Sequence, residues 1–165
     1  MNKILKIFSL LFLLTTSITN CGFQPVYNAK NSLGNSTIYD YKIYTDNKEI
    51  EKILSNLIIR STQTLKSDEQ FFLEVSIEKI KKDASKDKTG KIDTYKISLI
   101  FEFVLKSKDQ KNKLIKKIIQ ENFNLKKQSS ISITEDIEKK LIENYTEIAY
   151  GKILFSIKQY LKQWF

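Results

Sequence analysis

Six lysines, Lys79, Lys81, Lys82, Lys86, Lys88 and Lys91, fall within thirteen residues and share that stretch with two acids, Asp83 and Asp87. An ammonium group is a mobile point charge that binds phosphate without a fixed geometry, so such a run can hold a phosphorylated ligand. The plainer reading is the solvated end of a hairpin in a lysine-biased chain. Arg60, the sole arginine, could grip a phosphate or carboxylate through two N–H groups, although a salt bridge on a helix surface explains it as well. The aromatic residues Phe23, Tyr27, Tyr39, Tyr41, Tyr44, Phe155 and Trp164 suit either a core or a partner contact, which only a contiguous exposed patch would distinguish. Other chemistry is missing from the alphabet. The chain has no histidine and one cysteine, Cys21, and so lacks the commonest general base, the commonest metal ligands and a disulfide. No glycine-rich loop exists to cradle a phosphate, and Glu74, Glu78 and Glu102 occupy alternating strand positions that suit a solvated face. These absences argue against an enzyme and imply no metal and no cofactor beyond a covalent lipid.

That lipid is expected at Cys21. Lys3 and Lys6 give a cationic start, residues 7–14 are apolar apart from Ser9, and a polar stretch leads to the cysteine. This is the layout of a secretory signal peptide, with an apolar core too short to span a bilayer. Ile18-Thr19-Asn20-Cys21 resembles the bacterial lipobox, in which cleavage precedes a cysteine carrying diacylglycerol, and it departs at Asn20, where a smaller residue is usual. The competing reading is a soluble periplasmic protein with a free cysteine near its new N-terminus.

Charge narrows the partners. The chain carries 28 basic and 19 acidic residues, net +9; removal of residues 1–20 takes away Lys3 and Lys6 and leaves net +7 on 145 residues. A basic protein pairs with nucleic acid, an anionic membrane surface or an acidic ligand. Export removes nucleic acid, leaving lipid headgroups and the phosphates of lipopolysaccharide. The length suits one domain with a real core.

Four kinds of segment must position these residues. Residues 28–36 are polar and contain Gly34, which reads as a tether, so the division is a signal peptide over 1–20, a lipidated tether over 21–36 and one domain over 37–165. Residues 37–45 are β-branched and aromatic with imperfect alternation, which predicts an edge or irregular strand. Asp46 and Glu49 make a capping pattern before Ile50, Ile53, Leu54, Leu57 and Ile58, predicting a helix that ends near Leu65, with a turn at Ser67, Asp68, Glu69 and Gln70. Phe71, Leu73, Val75 and Ile77 alternate with Phe72, Glu74, Ser76 and Glu78, and Tyr95, Ile97, Leu99, Phe101, Phe103 and Leu105 alternate with Lys96, Ser98, Ile100, Glu102, Val104 and Lys106, so two strands form a long hairpin with 79–91 as its basic end. Residues 106–113 predict a polar turn. Over 114–125 the period leaves strand and helix open, because Leu114, Ile115, Ile118 and Ile119 suit a helix while Ile119, Phe123 and Leu125 suit a strand. Ser132 and Glu135 repeat the capping pattern and open a helix whose apolar steps run from Ile137 to the C-terminus, about 45 Å in length. Gly151 offers a bend or a close approach within it, and Leu154 and Phe155 fall off its main stripe.

The segment Cys21-Gly22-Phe23-Gln24-Pro25-Val26-Tyr27 resembles the mature start of the LPS-assembly lipoproteins, the LptE (RlpB) family, in its alphaproteobacterial form with Cys-Gly-Phe-x-Pro-hydrophobic-Tyr. The resemblance implies that 114–126 is a fourth strand, bulged. The expected fold is then α+β, a two-layer sandwich of about four strands with two helices on one face, in the order β-α-β-β-β-α. It also implies an outer-membrane lipoprotein, anchored on the periplasmic side, that plugs an LptD-like β-barrel, helps it assemble and assists delivery of lipopolysaccharide. Gly22 agrees with outer-membrane sorting. The family's ligand positions have no motif to match here, so the six lysines remain candidates for lipid A phosphates on charge alone. Two rivals stand beside this reading: an adaptor of another envelope assembly machine, and a periplasmic hydrolase running on carboxylates.

Overall fold

A computed structural model describes residues 36–62 and 69–162. The elements are β1 (Ser36–Tyr44), α1 (Lys48–Thr62), β2 (Glu69–Lys86), β3 (Ile92–Ser107), β4 (Lys113–Lys126) and α2 (Ile131–Lys162). The strands form one sheet in the order β1-β2-β3-β4, with β1 parallel to β2 and the other pairs antiparallel. This is the expected order and class. β1 is an edge strand with a register shift between Ile38 and Asp40, so its imperfect alternation has a structural cause. It begins one residue earlier than the tether boundary placed it. The signal peptide, Cys21, the segment that follows it, Leu65 and Trp164 lie outside the described residues.

Alternation decides which sheet face is covered. Leu73, Val75, Ile97, Leu99, Phe101, Phe103, Leu105 and Leu125 are fully buried, and with Phe71, Ile77, Ile115 and Phe123 they form one apolar face. Against it α1 lays Ile50, Leu54 and Ile58, and α2 lays Ile142, Ala149, Ile153, Ile157 and Leu161. Each buried isoleucine or leucine among them stabilises the fold by about 1.5–3 kcal/mol relative to exposure. Phe123 stacks on Tyr145 with ring centroids 4.6 Å apart, tying the outer strand to α2. The opposite face is partly wet. There Lys106 pairs with Glu74 at 2.6 Å and Lys116 with Glu102 at 2.7 Å, so two of the three strand carboxylates are neutralised and Glu78 is exposed. Residues 114–126 are strand throughout: Ile115, Phe123 and Leu125 face the helices, while Ile118, 63% exposed, belongs to the other face. The bulge at this pair falls where Leu105 and Lys106 change register.

Several element ends differ from expectation, most of all at the hairpin, where β2 runs on to Lys86 and β3 begins at Ile92. Asn47, not Asp46, caps α1: its Oδ1 accepts from the backbone N–H of Glu49 and of Ile50, both at 3.1 Å. Glu49 does not reach back, because its carboxylate meets Lys139 of α2 at 3.3 Å. α2 begins at Ile131, ahead of Ser132, with the Ser130 carbonyl accepting from the Thr134 N–H at 3.2 Å and from its hydroxyl at 2.9 Å. It runs 32 residues unbroken through Gly151, about 48 Å at 1.5 Å per residue. Glu69 and Gln70 already belong to β2, and Lys106 and Lys113 to β3 and β4, so the β3–β4 turn is tighter than read. α1 and α2 are joined by a short hydrogen bond between Ser61 Oγ and Tyr150 Oη, with Ser61 Oγ donating to the Ile58 carbonyl at 2.8 Å.

Candidate functional site

The lysine run is mostly strand. β2 continues to Lys86, and the turn itself spans only 87–91. Asp87 builds that turn: its Oδ1 accepts from the Thr89 hydroxyl at 2.6 Å, the Thr89 N–H at 2.8 Å and the Lys91 N–H at 3.0 Å. The Thr89 hydroxyl, then the Lys91 N–H, hold the Asp87 carboxyl below its usual range, with Lys127 adding its charge. Gly90 supplies the positive φ, +80°, at which a side chain would be strained.

Strand geometry splits the six lysines into two sets. Lys79 and Lys81 lie on the helix-covered face two residues apart, where both reach Glu138 of α2. Lys79 Nζ is 2.6 Å from its Oε1 and Lys81 Nζ is 2.6 Å from its Oε2. Burial alone would raise the Glu138 carboxyl; the two ammonium groups outweigh it and hold the carboxyl below its usual value. Lys81 also sits 4.5 Å from the Tyr95 ring centroid, a cation–π contact. These two cations are committed to packing. Lys82, Lys86, Lys88 and Lys91 are exposed at the hairpin end.

The pairing brings in three lysines that the sequence reading did not name. Lys96 of β3 is the register partner of Lys82, placing two like charges side by side on the open face. Lys126 lies opposite Thr94 in the β3–β4 ladder, and the Lys127 N–H donates to the Asp93 carbonyl at 2.7 Å. Seven lysines, 82, 86, 88, 91, 96, 126 and 127, thus share one end of the sheet with Asp83, Asp87 and Asp93. The uncompensated cations make a surface for phosphate or carboxylate groups. Lys96 was legible in principle, since equal steps outward from Thr89 reach Lys82 and Lys96 together.

No protein-family model matches the sequence, and no curated protein matches it. Solved structures do match. Rare lipoprotein B from Shewanella oneidensis superposes with a TM-score of 0.50 at 10% identity, covering 75% of this chain and 94% of that one. Lipoprotein B from Nitrosomonas europaea, described as uncharacterized, gives 0.55 at 12% identity, covering 78% and 88%. The fold is that of lipoprotein B. A chain from Caulobacter crescentus shares it with a TM-score of 0.55 at 8% identity, over 81% of this chain and 96% of that one.

On this lipoprotein B fold the remaining candidates fall apart. Arg60 is exposed in the last turn of α1, where a cation complements the helix dipole, and no ion pair joins it among the described residues. Tyr41 packs against the core. Tyr39 is partly exposed and donates to the Lys108 carbonyl at 2.7 Å, at the opposite end of the sheet from the hairpin turn. Tyr44 and Phe155 are exposed, 45% and 59%, on β1 and α2 respectively. Among the described residues no group of three or more His, Cys, Asp or Glu side chains could hold a metal, and no helix is long and apolar enough to cross a membrane.

Proposed function

We propose that the chain is an outer-membrane lipoprotein of the LptE (RlpB) kind: anchored through Cys21, seated in an LptD-like β-barrel whose assembly it assists, and aiding delivery of lipopolysaccharide. The observation that carries this reading is the shared fold, which covers 94% and 88% of the two lipoprotein B chains while their sequences have diverged to 10% and 12% identity. The leader ending at Cys21 supports the anchor, and the seven-lysine end supports a phosphorylated ligand. The action is non-covalent. The α+β sandwich occupies the barrel as a rigid body, and exposed ammonium groups at the hairpin end neutralise lipid A phosphates as the glycolipid passes. Lys82, Lys86, Lys88, Lys91, Lys96, Lys126 and Lys127 would share that task, while Lys79 and Lys81 brace the strand against α2.

The test is extraction of the full chain from membranes in mild detergent, followed by mass spectrometry. A Cys21 bearing diacylglycerol, loss of residues 1–20 and a co-purifying outer-membrane β-barrel are expected. An unmodified Cys21 overturns the anchor, and a different stoichiometric partner overturns the barrel in favour of another envelope machine.

A further inference from the structure

β1 leaves the sheet before β2 ends. The last pair between them is Tyr44 with Ser76, whereas β2 continues to Lys86 and stays paired with β3. From Ile77 to Asp83 the β2–β3 register is unbroken, so seven residues of β2 have a ladder partner on one side only among the described residues. Alternate backbone N–H and C=O groups of such a strand face the vacant side. Where β1 departs, Thr45, Asp46, Asn47, Lys48, Ile77, Glu78 and Lys79 enclose an open cavity of about 730 Å³. The cavity lies in line with β1, at the first position an added strand would fill.

We propose that this recessed edge accepts an extended, acidic segment of another protein as an added strand. Lysines on an edge strand usually obstruct such pairing. Here the two within the stretch that face the helices, Lys79 and Lys81, are drawn onto α2 by Glu138. On the open face Glu78 is exposed and Ile80 half-buried, with Lys82 and its register partner Lys96 just beyond; Lys86 ends the strand past two register shifts. The occupant is therefore an extended stretch with an apolar side chain beside Ile80 and carboxylates beside Lys82 and Lys86. The partner contributes main-chain hydrogen bonds for affinity and alternate side chains for selectivity. The added strand shares Lys82 and Lys86 with the glycolipid reading, and protection of the β2 backbone, which a glycolipid held by side chains alone does not give, tells the two apart.

The probe is a labelled heptapeptide alternating glutamate with valine and threonine, added to the full-length protein and followed by anisotropy and by amide hydrogen exchange. Binding should slow exchange within 77–83 and leave 113–126 unchanged. Lys82→Glu with Lys86→Glu should weaken binding by roughly ten-fold or more with the circular dichroism spectrum intact. A peptide of equal charge with a central proline should bind at least as weakly, because it lacks a ladder donor. Absence of protection in 77–83 overturns the proposal. So does equal binding of the proline peptide, which would mean charge attraction alone, and so does slow exchange of 77–83 before any peptide is added, which would mean an edge already covered.

Discussion

Lys79 Nζ lies 2.6 Å from Glu138 Oε1, and this contact ties the first lysine of the basic run to the long helix rather than to solvent. Lys81 holds the other oxygen, so removing the carboxylate leaves two ammonium groups facing one another at the edge of the core. Glu138→Ala should cost about 1–2 kcal/mol at pH 7, the range for a charged hydrogen bond discounted for the part-exposed lysines. The folded-state pKa of Glu138 lies below the usual 4.5, so its contribution is present above 4.5 and lost as pH falls through the folded value. Urea melts of the parent and the variant should therefore differ at pH 7 and converge in acid. A constant difference would place the effect in packing alone.

The cap of α1 can be checked by a pair of neighbours. Asn47→Ala removes the acceptor for the N–H groups of Glu49 and Ile50 and should cost about 0.5–2 kcal/mol. Asp46→Ala should cost much less. Reversal of that order in denaturant melts would restore the spacing-based cap at Asp46.

Much of the fold was legible because burial on one face imposes period two, as at Ile97, Leu99, Phe101, Phe103 and Leu105, every one fully buried. β4 resisted because its inner face carries a charge and its outer face an exposed isoleucine. Glu121 is buried at 7% exposure and held by Lys152 at 2.6 Å, while Ile118 faces out beside Ile119, so neither period dominates. The caps were misplaced because Asp46 and Asn47 are adjacent and both suit a cap; only the backbone decides which reaches the free N–H groups. The site was half legible. Composition marked Lys82, Lys86, Lys88 and Lys91, but nothing local reveals that Glu138, far along the chain, claims Lys79 and Lys81, or that strand register adds Lys96 and Lys126.

Tyr150 makes the alkaline limb of stability testable. Burial pushes its phenol up to about 12 despite the hydrogen bond with Ser61, which acts the other way. Its folded value lies above the unfolded value of about 10, so stability is intact below pH 10 and falls as pH rises toward 12, by about 2–3 kcal/mol over that window. Tyr150→Phe should lose the Ser61 contact, about 0.5–1.5 kcal/mol at neutral pH, and with it much of this alkaline fall. An unchanged alkaline profile in the phenylalanine variant would move the effect to other groups.

Thr146 poses the opposite problem. It is fully buried on α2, and its Oγ1 has no hydrogen-bond partner among the described residues. An unsatisfied buried hydroxyl costs about 1–3 kcal/mol, and valine has nearly the same shape. Thr146→Val should raise the melting midpoint, and a lower midpoint would indicate a partner for the hydroxyl in solution.

The two ends of the sheet separate location from net charge in the lysine hypothesis. Lys82, Lys86, Lys88 and Lys96 stand at the β2–β3 turn, whereas Lys108, Lys111 and Lys113 stand at the β3–β4 turn, also exposed and also basic. Each exposed ammonium–phosphate contact contributes about 0.2–1 kcal/mol, so single substitutions should change little. Lys82, Lys86, Lys88 and Lys96 changed together to glutamine should weaken binding of purified lipopolysaccharide by roughly ten-fold or more. The same change should remove most of the dependence on salt, because the screened charges are gone. Glutamine at Lys108, Lys111 and Lys113 should leave affinity near the parent value, and glutamine at Lys79 and Lys81 should lower stability instead, through the loss of Glu138's partners. Equal losses at both ends of the sheet would show that total charge, not the hairpin end, attracts the glycolipid, and no loss at either end would return the run to a solvated hairpin.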